Sequence, residues 1–362
     1  MNGSRKTFWV AGQVLKWMGF LLVIAVFAVS IYYIVDNFLM PAVQGGPAET
    51  GNNASAPVTE GPTTTTTVPS RTDLAINGTD RYDTAITISR LGFPGGSPTL
   101  VLVAGQDYAG AVCAAPLAGV YGAPLLLLPP EGISTELSAE IDRLNSGTVF
   151  LVGVPSSSAL RRQLRNVLDE PTIVSLAGDD QYETAATVAG VIKEKSGEIA
   201  KAVVVPSDSY TEGVAAASLA AAKGWPVLLS PLEGPVPPAT IEALDALAAA
   251  SALVVGTKAE LGQIPVERQM GADRYETAAL IVKYALAQGL KFQHTAIVSG
   301  EDFPDGLAAA PYLSLDNGIL LLAKDGELPP PMLELFNTSL ELIRTLDFIA
   351  LPDLAKAMAS GS

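Results

Sequence analysis

Short apolar runs alternate with longer helical stretches over residues 72–362. The short runs are rich in β-branched residues, as is typical of strands buried on both faces, whereas the longer stretches carry apolar residues at helical spacing or consist largely of alanine. In the first part of this region we predict strands at 99–103, 124–128 and 149–152 and helices at 107–121, 134–144 and 156–168. This alternation indicates an α/β fold made of parallel βαβ units with right-handed crossovers.

An internal repeat organises the same region. The octapeptides GTDRYDTA, GDDQYETA and GADRYETA begin at residues 78, 178 and 271. A second block follows each octapeptide, and its three copies align without a gap at residues 103–128, 205–230 and 298–323. A repeat of roughly 95 residues is too long for a solenoid and has the size of a small domain. We therefore predict three packed α/β modules, at residues 72–171, 172–265 and 266–362.

A membrane anchor is predicted before the modules. Residues 17–35 are apolar and uncharged, which is long enough to span a bilayer, and the basic residues Arg5, Lys6 and Lys16 precede them. Because positive charge is retained in the cytoplasm, we predict a cytoplasmic tail at 1–16 and a transmembrane helix within 17–40. A cleaved signal peptide is the alternative, but the run is long and no A-x-A site follows it.

Residues 41–71 differ from both neighbouring regions in composition. They are rich in Pro, Thr, Gly and Ser and contain no periodic apolar residues. Such a composition predicts a disordered linker with extended conformers. The modules would then lie outside the membrane, on a single-pass protein whose N-terminus is cytoplasmic.

Composition narrows the classes of function. The chain has 362 residues and a net charge of −15, so it lacks the basic surface that nucleic-acid binding needs, and we predict no nucleic-acid partner. It contains one cysteine, Cys113, and one histidine, His294, which excludes an intrachain disulfide and a zinc site with several Cys or His ligands. Cys113 aligns with alanines in the other modules and is predicted to be a small buried residue. His294 lies in a polar stretch and is predicted at the surface.

Enzymatic motifs are missing from the sequence. There is no G-x-S-x-G elbow, no G-x-G-x-x-G turn and no phosphate-binding G-x-x-x-x-G-K-[ST] loop. We therefore predict no catalytic residue, no cofactor and no metal site. A wall hydrolase that depends on a pair of carboxylates is the remaining enzymatic alternative.

The paired blocks resemble the cell wall binding repeat 2 modules of Gram-positive surface proteins. The hallmark of these modules is G-x-D-R-Y-E-T-A, followed by G-x-x-F-P-D-A-L-A-A-A-P and an apolar A-P-L-L-L strand. GADRYETA at 271–278, SGEDFPDGLAAAP at 299–311 and GAPLLLL at 122–128 match it. Over residues 72–362, this resemblance implies Rossmann- or Toprim-like parallel sheets in a pseudo-threefold arrangement. It also implies a protein of the cell wall space that binds an anionic wall polymer non-covalently.

Several positions depart from the family pattern. Gln181 stands where the other octapeptides have Arg81 and Arg274, and the last strand of the third module lacks the glycine found at Gly153 and Gly256. We expect the fold to be kept and the second module to contribute least to polymer binding. A structural or protein-interaction module of the cell envelope, without a glycan site, is the alternative function.

The candidate polymer-binding residues are arginines and their neighbouring tyrosines. Arginine presents a planar fork to phosphate or carboxylate oxygens, and a tyrosine ring can stack on a sugar. The residues are Arg81, Tyr82, Arg274 and Tyr275, together with a second basic patch formed by Arg161, Arg162 and Arg165. In the structural alternative, the arginines pair with nearby acidic residues, the tyrosines fill the groove between helix and sheet, and the patch is a solvated helix face.

Acidic residues of the second block follow a predicted strand and begin a helix. They are Asp107, Asp208, Glu212, Glu301, Asp302 and Asp305. Helix capping explains such positions, because the helix dipole favours negative charge there. Calcium coordination is the alternative. It bears on binding because an acidic ectodomain approaches an anionic polymer only through local arginine patches or bridging cations.

Overall fold

The computed structural model describes residues 71–155 and 157–360. The predicted cytoplasmic tail, transmembrane helix and linker, at residues 1–70, lie outside this part of the chain. Within the described ranges, no helix is both long and apolar enough to cross a membrane.

Strands and helices alternate throughout the described residues. The first repeat contains β1 (Thr72–Ile76), α1 (Arg81–Gly92), β2 (Thr99–Ala104), α2 (Tyr108–Tyr121), β3 (Leu125–Leu128), α3 (Thr135–Leu144), β4 (Thr148–Val152) and α4 (Ser158–Val167). The second contains β5 (Thr172–Leu176), α5 (Gln181–Ser196), β6 (Lys201–Pro206), α6 (Tyr210–Lys223), β7 (Val227–Ser230), α7 (Pro238–Leu247) and β8 (Ser251–Val255). The third contains β9 (Val266–Gln269), α8 (Arg274–Ala287), β10 (His294–Ser299), α9 (Pro304–Ser314), β11 (Ile319–Ala323), α10 (Pro330–Ser339), a 3-10 turn (Leu340–Leu342), β12 (Thr345–Ile349) and α11 (Pro352–Ser360). The strands and helices predicted in the first repeat are confirmed.

Three parallel sheets of four strands each form the fold. Their strand orders are β3-β2-β4-β5, β7-β6-β8-β9 and β1-β12-β10-β11. The mixed α/β class with parallel sheets is thus confirmed. Each sequence repeat begins with a strand that joins another sheet: β5 pairs with β4, β9 with β8, and β1 with β12. Because β1 comes first in the chain and completes the last sheet, the three modules are closed into a ring.

Three equivalent helices, α2, α6 and α9, lie at the centre of this ring. Each contacts the other two, as a pseudo-threefold arrangement requires. Their small residues allow the backbones to approach closely. A Cβ at Gly119 would lie 2.4 Å from the Ala221 carbonyl oxygen, and one at Gly306 would lie 2.5 Å from Val214 Cγ1. Glycine is needed at these two positions for lack of space.

The third module keeps the backbone geometry of the other two modules although it lacks the glycine that follows their last strand. Gly153 and Gly256, after β4 and β8, both have φ +64°, and Ala350 takes the same left-handed conformation after β12, with φ +54°. Asn317 likewise has φ +60° where the first module has Gly122. The departure seen in the sequence is therefore accommodated by mild backbone strain, since left-handed φ is costlier for alanine than for glycine or asparagine.

Ring closure by β1 predicts a selective effect of proline. Thr72 N–H donates to Arg344 O, and Ile76 O accepts from Ala350 N–H, so alternate residues of β1 direct their main-chain groups at β12. The main-chain groups of Leu74 also point at β12. Because β1 is an edge strand, the N–H of Ala75 points away from the sheet. We expect Leu74→Pro to lower the free energy of unfolding by about 1–3 kcal/mol.

The matched control is Ala75→Pro, which introduces the same residue one position along. It should cost clearly less, because no sheet hydrogen bond is lost. Urea denaturation monitored by circular dichroism measures both variants. Equal losses in the two variants would contradict the pairing of β1 with β12.

Candidate functional site

The octapeptide blocks begin α1, α5 and α8 with a reciprocal capping arrangement. In the first block, Asp80 Oδ1 accepts hydrogen bonds from the N–H groups of Tyr82 and Asp83, both at 2.9 Å. The Asp83 carboxylate in turn accepts from Thr79 N–H at 3.0 Å. Thr84 Oγ1 donates to Asp80 O and accepts from Gly78 N–H. Most polar side chains of the block therefore bind main-chain amides at the helix start that have no acceptor within the helix.

The second and third blocks repeat this network. Asp180 and Asp273 each accept from two main-chain amides at 2.8 Å. The first glycine of the block is required by space, because a Cβ at Gly78 would lie 2.2 Å from Thr84 N. The repeated aspartate, glutamate, threonine and glycine thus have a structural role, which leaves the arginine and the tyrosine to be explained.

Tyr82 packs on the loop that follows β2, and Tyr275 packs on the loop that follows β10. A Cβ at Gly105 would lie 2.4 Å from the ring of Tyr82, and one at Gly300 would lie 2.7 Å from the ring of Tyr275. Tyr82 is half-buried and Tyr275 is buried. Burial raises the pKa of both phenols. The rings therefore hold the helix start against the sheet and expose only part of their surface.

The two block arginines have different environments. Arg81 donates to Gly105 O and to Asp302 Oδ2, both at 3.1 Å, and so forms an ion pair between the first and third modules. Arg274 is exposed, and its side chain makes no hydrogen bond or ion pair with the described residues. Of the two, Arg274 alone presents an uncommitted guanidinium.

A cleft of about 340 Å³ at the junction of the second and third modules contains Arg274. Its lining residues are Tyr210, Asp273, Arg274, Tyr275, Glu301 and Lys324. Lys324 is exposed and, like Arg274, has no ion pair within the described ranges. We call this cleft the 2–3 junction.

The carboxylates in the 2–3 junction are committed to main-chain amides. Asp273 caps α8, and Glu301 Oε2 accepts from Asp325 N–H at 2.8 Å. Arg274 and Lys324 therefore lie near carboxylates but form no hydrogen bond with them. An incoming anion can approach Arg274 and Lys324 without first breaking an ion pair.

Aromatic residues at aligned positions of the second block meet near the pseudo-threefold axis. The ring centroids are 6.4 Å apart for Tyr108 and Tyr210, 5.7 Å for Tyr108 and Phe303, and 6.3 Å for Tyr210 and Phe303. The rings meet in tilted or edge-on orientations. Tyr108 Oη donates to Pro206 O and Ser209 O, and Tyr210 Oη donates to Glu301 O. These bonds tie the first module to the second and the second to the third.

The third junction is linked differently, because phenylalanine has no hydroxyl. There the Arg81–Asp302 ion pair connects the third module to the first. Asp305 lies nearby, and burial together with the charge of Asp302 raises its pKa to about 6. The three junctions thus share one arrangement of helices and differ in their polar contacts.

The second basic patch lies on α4. Arg161 is half-buried and donates to Ile173 O at 3.4 Å, whereas Arg162 and Arg165 are exposed. None of the three lines the 2–3 junction. The structure therefore separates the candidate residues into three places: Arg81 and Tyr82 at the start of α1, Arg274 and Tyr275 at the 2–3 junction, and the three arginines on α4.

Other acidic residues of the second block accept local hydrogen bonds at helix starts, and of the two described next only Asp107 caps its helix. Asp107 Oδ1 accepts from Gly110 N–H at 3.0 Å, and Glu212 Oε2 accepts from Ser209 Oγ at 2.6 Å. Burial raises the pKa of Asp107. Among residues 71–155 and 157–360, no three Asp, Glu, His or Cys side chains are grouped so as to hold a metal ion.

The single cysteine and histidine are both buried. The prediction for Cys113 is confirmed, and burial raises the pKa of its thiol. The prediction for His294 is wrong. Its Nδ1 lies 2.9 Å from Asp316 Oδ2 and its Nε2 lies 2.7 Å from Asp347 Oδ2, which also accepts from Tyr312 Oη. Charge partners distant in the sequence make burial of a polar residue possible, and the local sequence did not reveal them.

Two residues of the 2–3 junction were missed by the sequence prediction. Lys324 aligns with Pro129 and Pro231, so it is a cation found in one copy of the repeat only. Tyr210 aligns with Tyr108 and Phe303, and its place beside Arg274 depends on packing between modules. An unmatched charge at an aligned position was the available signal for Lys324.

The fold and the repeated blocks define a protein of three tandem parallel α/β modules. The sequence profile of cell wall binding domain 2 matches residues 75–158, 175–263 and 268–344. The chain belongs to this family of cell wall binding domains.

Relatives with this region carry it in longer proteins. The N-acetylmuramoyl-L-alanine amidase LytC of Bacillus subtilis is 30% identical over 243 residues, which is 65% of this chain and 47% of the amidase. The amidase enhancer of the same organism is 26% identical over 258 residues, or 70% of this chain and 35% of the enhancer. The chain therefore spans about half or less of the length of these relatives.

Solved structures with the same fold include two proteins of Clostridium difficile. Cwp8 gives a TM-score of 0.69 at 21% identity, covering 80% of this chain and 52% of Cwp8. Cwp6 gives 0.67 at 22% identity, covering 77% of this chain and 46% of Cwp6. At these identities the likeness concerns the fold.

The His294 network predicts a pH dependence of stability. Burial lowers the pKa of His294, but the hydrogen bonds and charges of Asp316 and Asp347 outweigh it and raise the pKa to about 9. Because this pKa is raised above the unfolded value, the stabilisation is fully present below about pH 6.5 and is lost as pH rises through about 9. The loss should amount to about 3 kcal/mol.

His294→Asn should flatten the dependence between pH 7 and 10. Gln293→Ala, at the exposed neighbouring position, serves as the control and should keep the wild-type profile. Urea denaturation at a series of pH values measures the difference. A variant and wild type with parallel pH profiles would show that His294 is not charged in the folded protein.

Proposed function

We propose that this protein binds an anionic cell-wall glycopolymer non-covalently at the 2–3 junction. The observation that carries the proposal is the pair of cations, Arg274 and Lys324, which line one cleft without an ion-pair partner among the described residues. Two cations on one cleft suit an anion with several oxygens, such as a phosphodiester or a uronate.

The tyrosines of the same cleft support a sugar ligand. Tyr210 and Tyr275 line it together with the cations, and each ring is held in place, Tyr210 by its bond to Glu301 O and Tyr275 by packing on Gly300. A fixed aromatic surface next to a cation favours a ligand that joins an apolar ring face to an anionic group. A charged glycopolymer has both.

Arg81 has a different role in this proposal. Its guanidinium is already committed to Asp302 and Gly105 O, so a polymer anion would have to compete with an intramolecular partner. Arg81 then mainly stabilises the junction of the third and first modules. Gln181 has no charge to offer, so the second module's block contributes least.

The proposal extends to the place of the protein in the cell. The apolar segment at residues 17–40 would tether the chain to the membrane, with residues 1–16 in the cytoplasm and the modules in the cell wall space. A tethered protein that binds the polymer would link the membrane to the wall. The modules act as a binding unit and not as an enzyme, so any cleavage of the wall belongs to other proteins.

Removing the two free cations tests the proposal. Arg274→Ala with Lys324→Ala should reduce retention of the full-length, detergent-solubilised protein on purified cell walls by about tenfold or more, because charge-assisted contacts are lost. The remaining binding should also be less sensitive to salt. Walls from which anionic polymers have been extracted should retain the wild-type protein no better than the double variant.

The matched control removes the same charge elsewhere. Arg162→Ala with Arg165→Ala deletes two exposed arginines of α4 and should leave retention nearly unchanged. Circular dichroism should show that all variants are folded. If the α4 variant lost binding and the junction variant kept it, the polymer site would lie on the second basic patch.

A further inference from the structure

An equivalent hydrogen bond closes the sheet of the second module and that of the third, at the carboxyl ends of the strands. In the second module, Asp208 Oδ1 accepts from Leu232 N–H at 3.0 Å. In the third module, Glu301 Oε2 accepts from Asp325 N–H at 2.8 Å. These residues occupy aligned positions of the repeat. An acidic side chain after the first strand thus fastens the loop that follows the neighbouring strand.

The first module cannot form this bond. Its aligned residues are Gln106 and Pro130, and proline has no N–H to donate. The Gln106 carboxamide makes no hydrogen bond with the described residues. The second module has a further closing bond, from Thr257 Oγ1 to Pro231 O, and the aligned residues of the first and third modules are Val154 and Leu351.

An open cleft of about 520 Å³ lies at this unfastened edge. It is lined by the ends of β2 and β3 and by the beginning of α4, where open parallel sheets commonly bind ligands. Its volume is within the range of small-molecule sites. The structure therefore has an open cleft at the sheet edge where this hydrogen bond is missing.

The lining is largely apolar, with a few polar side chains and almost no charge. Gln106 and Gln163 offer carboxamides that have no partner within the described ranges, and each can both donate and accept. Pro129, Pro130 and Leu160 provide apolar surface beside them. Among the described residues that line the cleft there is no lysine or arginine, and Glu131 is the one charged residue. Such a lining disfavours anions.

We infer that this cleft binds an uncharged sugar residue. A pyranose has an apolar C–H face, which fits the proline and leucine surface, and hydroxyl groups that both donate and accept, which fit the two carboxamides. The inference rests on the proposed function in that the sugar would be a neutral unit of the wall glycan. It adds a second subsite, chemically distinct from the cationic 2–3 junction.

Closing the cleft tests the inference. Gln106→Glu with Pro130→Leu installs the acidic side chain and the main-chain N–H that fasten the other modules. Saturation-transfer NMR on the full-length protein in detergent, with glucose and N-acetylglucosamine as probes, should detect binding to wild type. The Kd for the better probe should rise at least about tenfold in this variant and in Gln163→Leu.

The junction variant separates this inference from the proposed function. Arg274→Ala with Lys324→Ala should keep the wild-type Kd for the neutral sugars, even where wall retention is lost. If wall retention survived in that variant while the closed-cleft variant lost sugar binding, the proposed polymer site would fail and the sugar site would stand.

Three results would overturn the inference. One is the absence of binding of either neutral sugar to wild type. Another is an unchanged Kd in both the closed-cleft variant and Gln163→Leu, with folding confirmed by circular dichroism. The third is a preference for glucose 6-phosphate that disappears in the junction variant, because the probes would then bind at the cationic cleft.

Discussion

Close packing of three helices made of small residues is the constraint on which the structure depends. Gly119 against Ala221 and Gly306 against Val214 leave no room for a Cβ, so α2, α6 and α9 meet almost backbone to backbone. This contact brings the start of each block helix beside the second block of another module. The junctions, their aromatic cluster and the cleft between the second and third modules exist because the central helices approach so closely.

Differences between the copies then determine where ligands can bind. A threefold repeat offers the same position three times. Among the described residues, however, one junction alone joins an arginine without an ion pair to a lysine, and one sheet edge alone lacks the hydrogen bond that fastens the other two. Arg81 at one junction is neutralised by Asp302, and Gln181 at another has no charge. Binding chemistry in this protein therefore follows the departures from the repeat more than the repeat itself.

The sequence predicts the elements well and their partners poorly. Periodicity places β2, α2 and β3, and the capping residues of the octapeptides mark the helix starts, because both signals are local. Ring closure by β1 is not visible, since its partner β12 lies at the other end of the modules. His294 was misplaced for the same reason, because Asp347 is 53 residues away. Lys324 joins Arg274 through the fold of the third module, and Tyr210 joins it only through packing between modules.

Hydrogen exchange of the full-length protein with and without purified anionic wall polymer tests the central claim most directly, because it reports where the polymer lies. The account predicts added protection at the start of α8, at the start of α6 and in the loop after β11, which together form the 2–3 junction. Protection confined to α4, or no change anywhere in the three modules at saturating polymer, would contradict it.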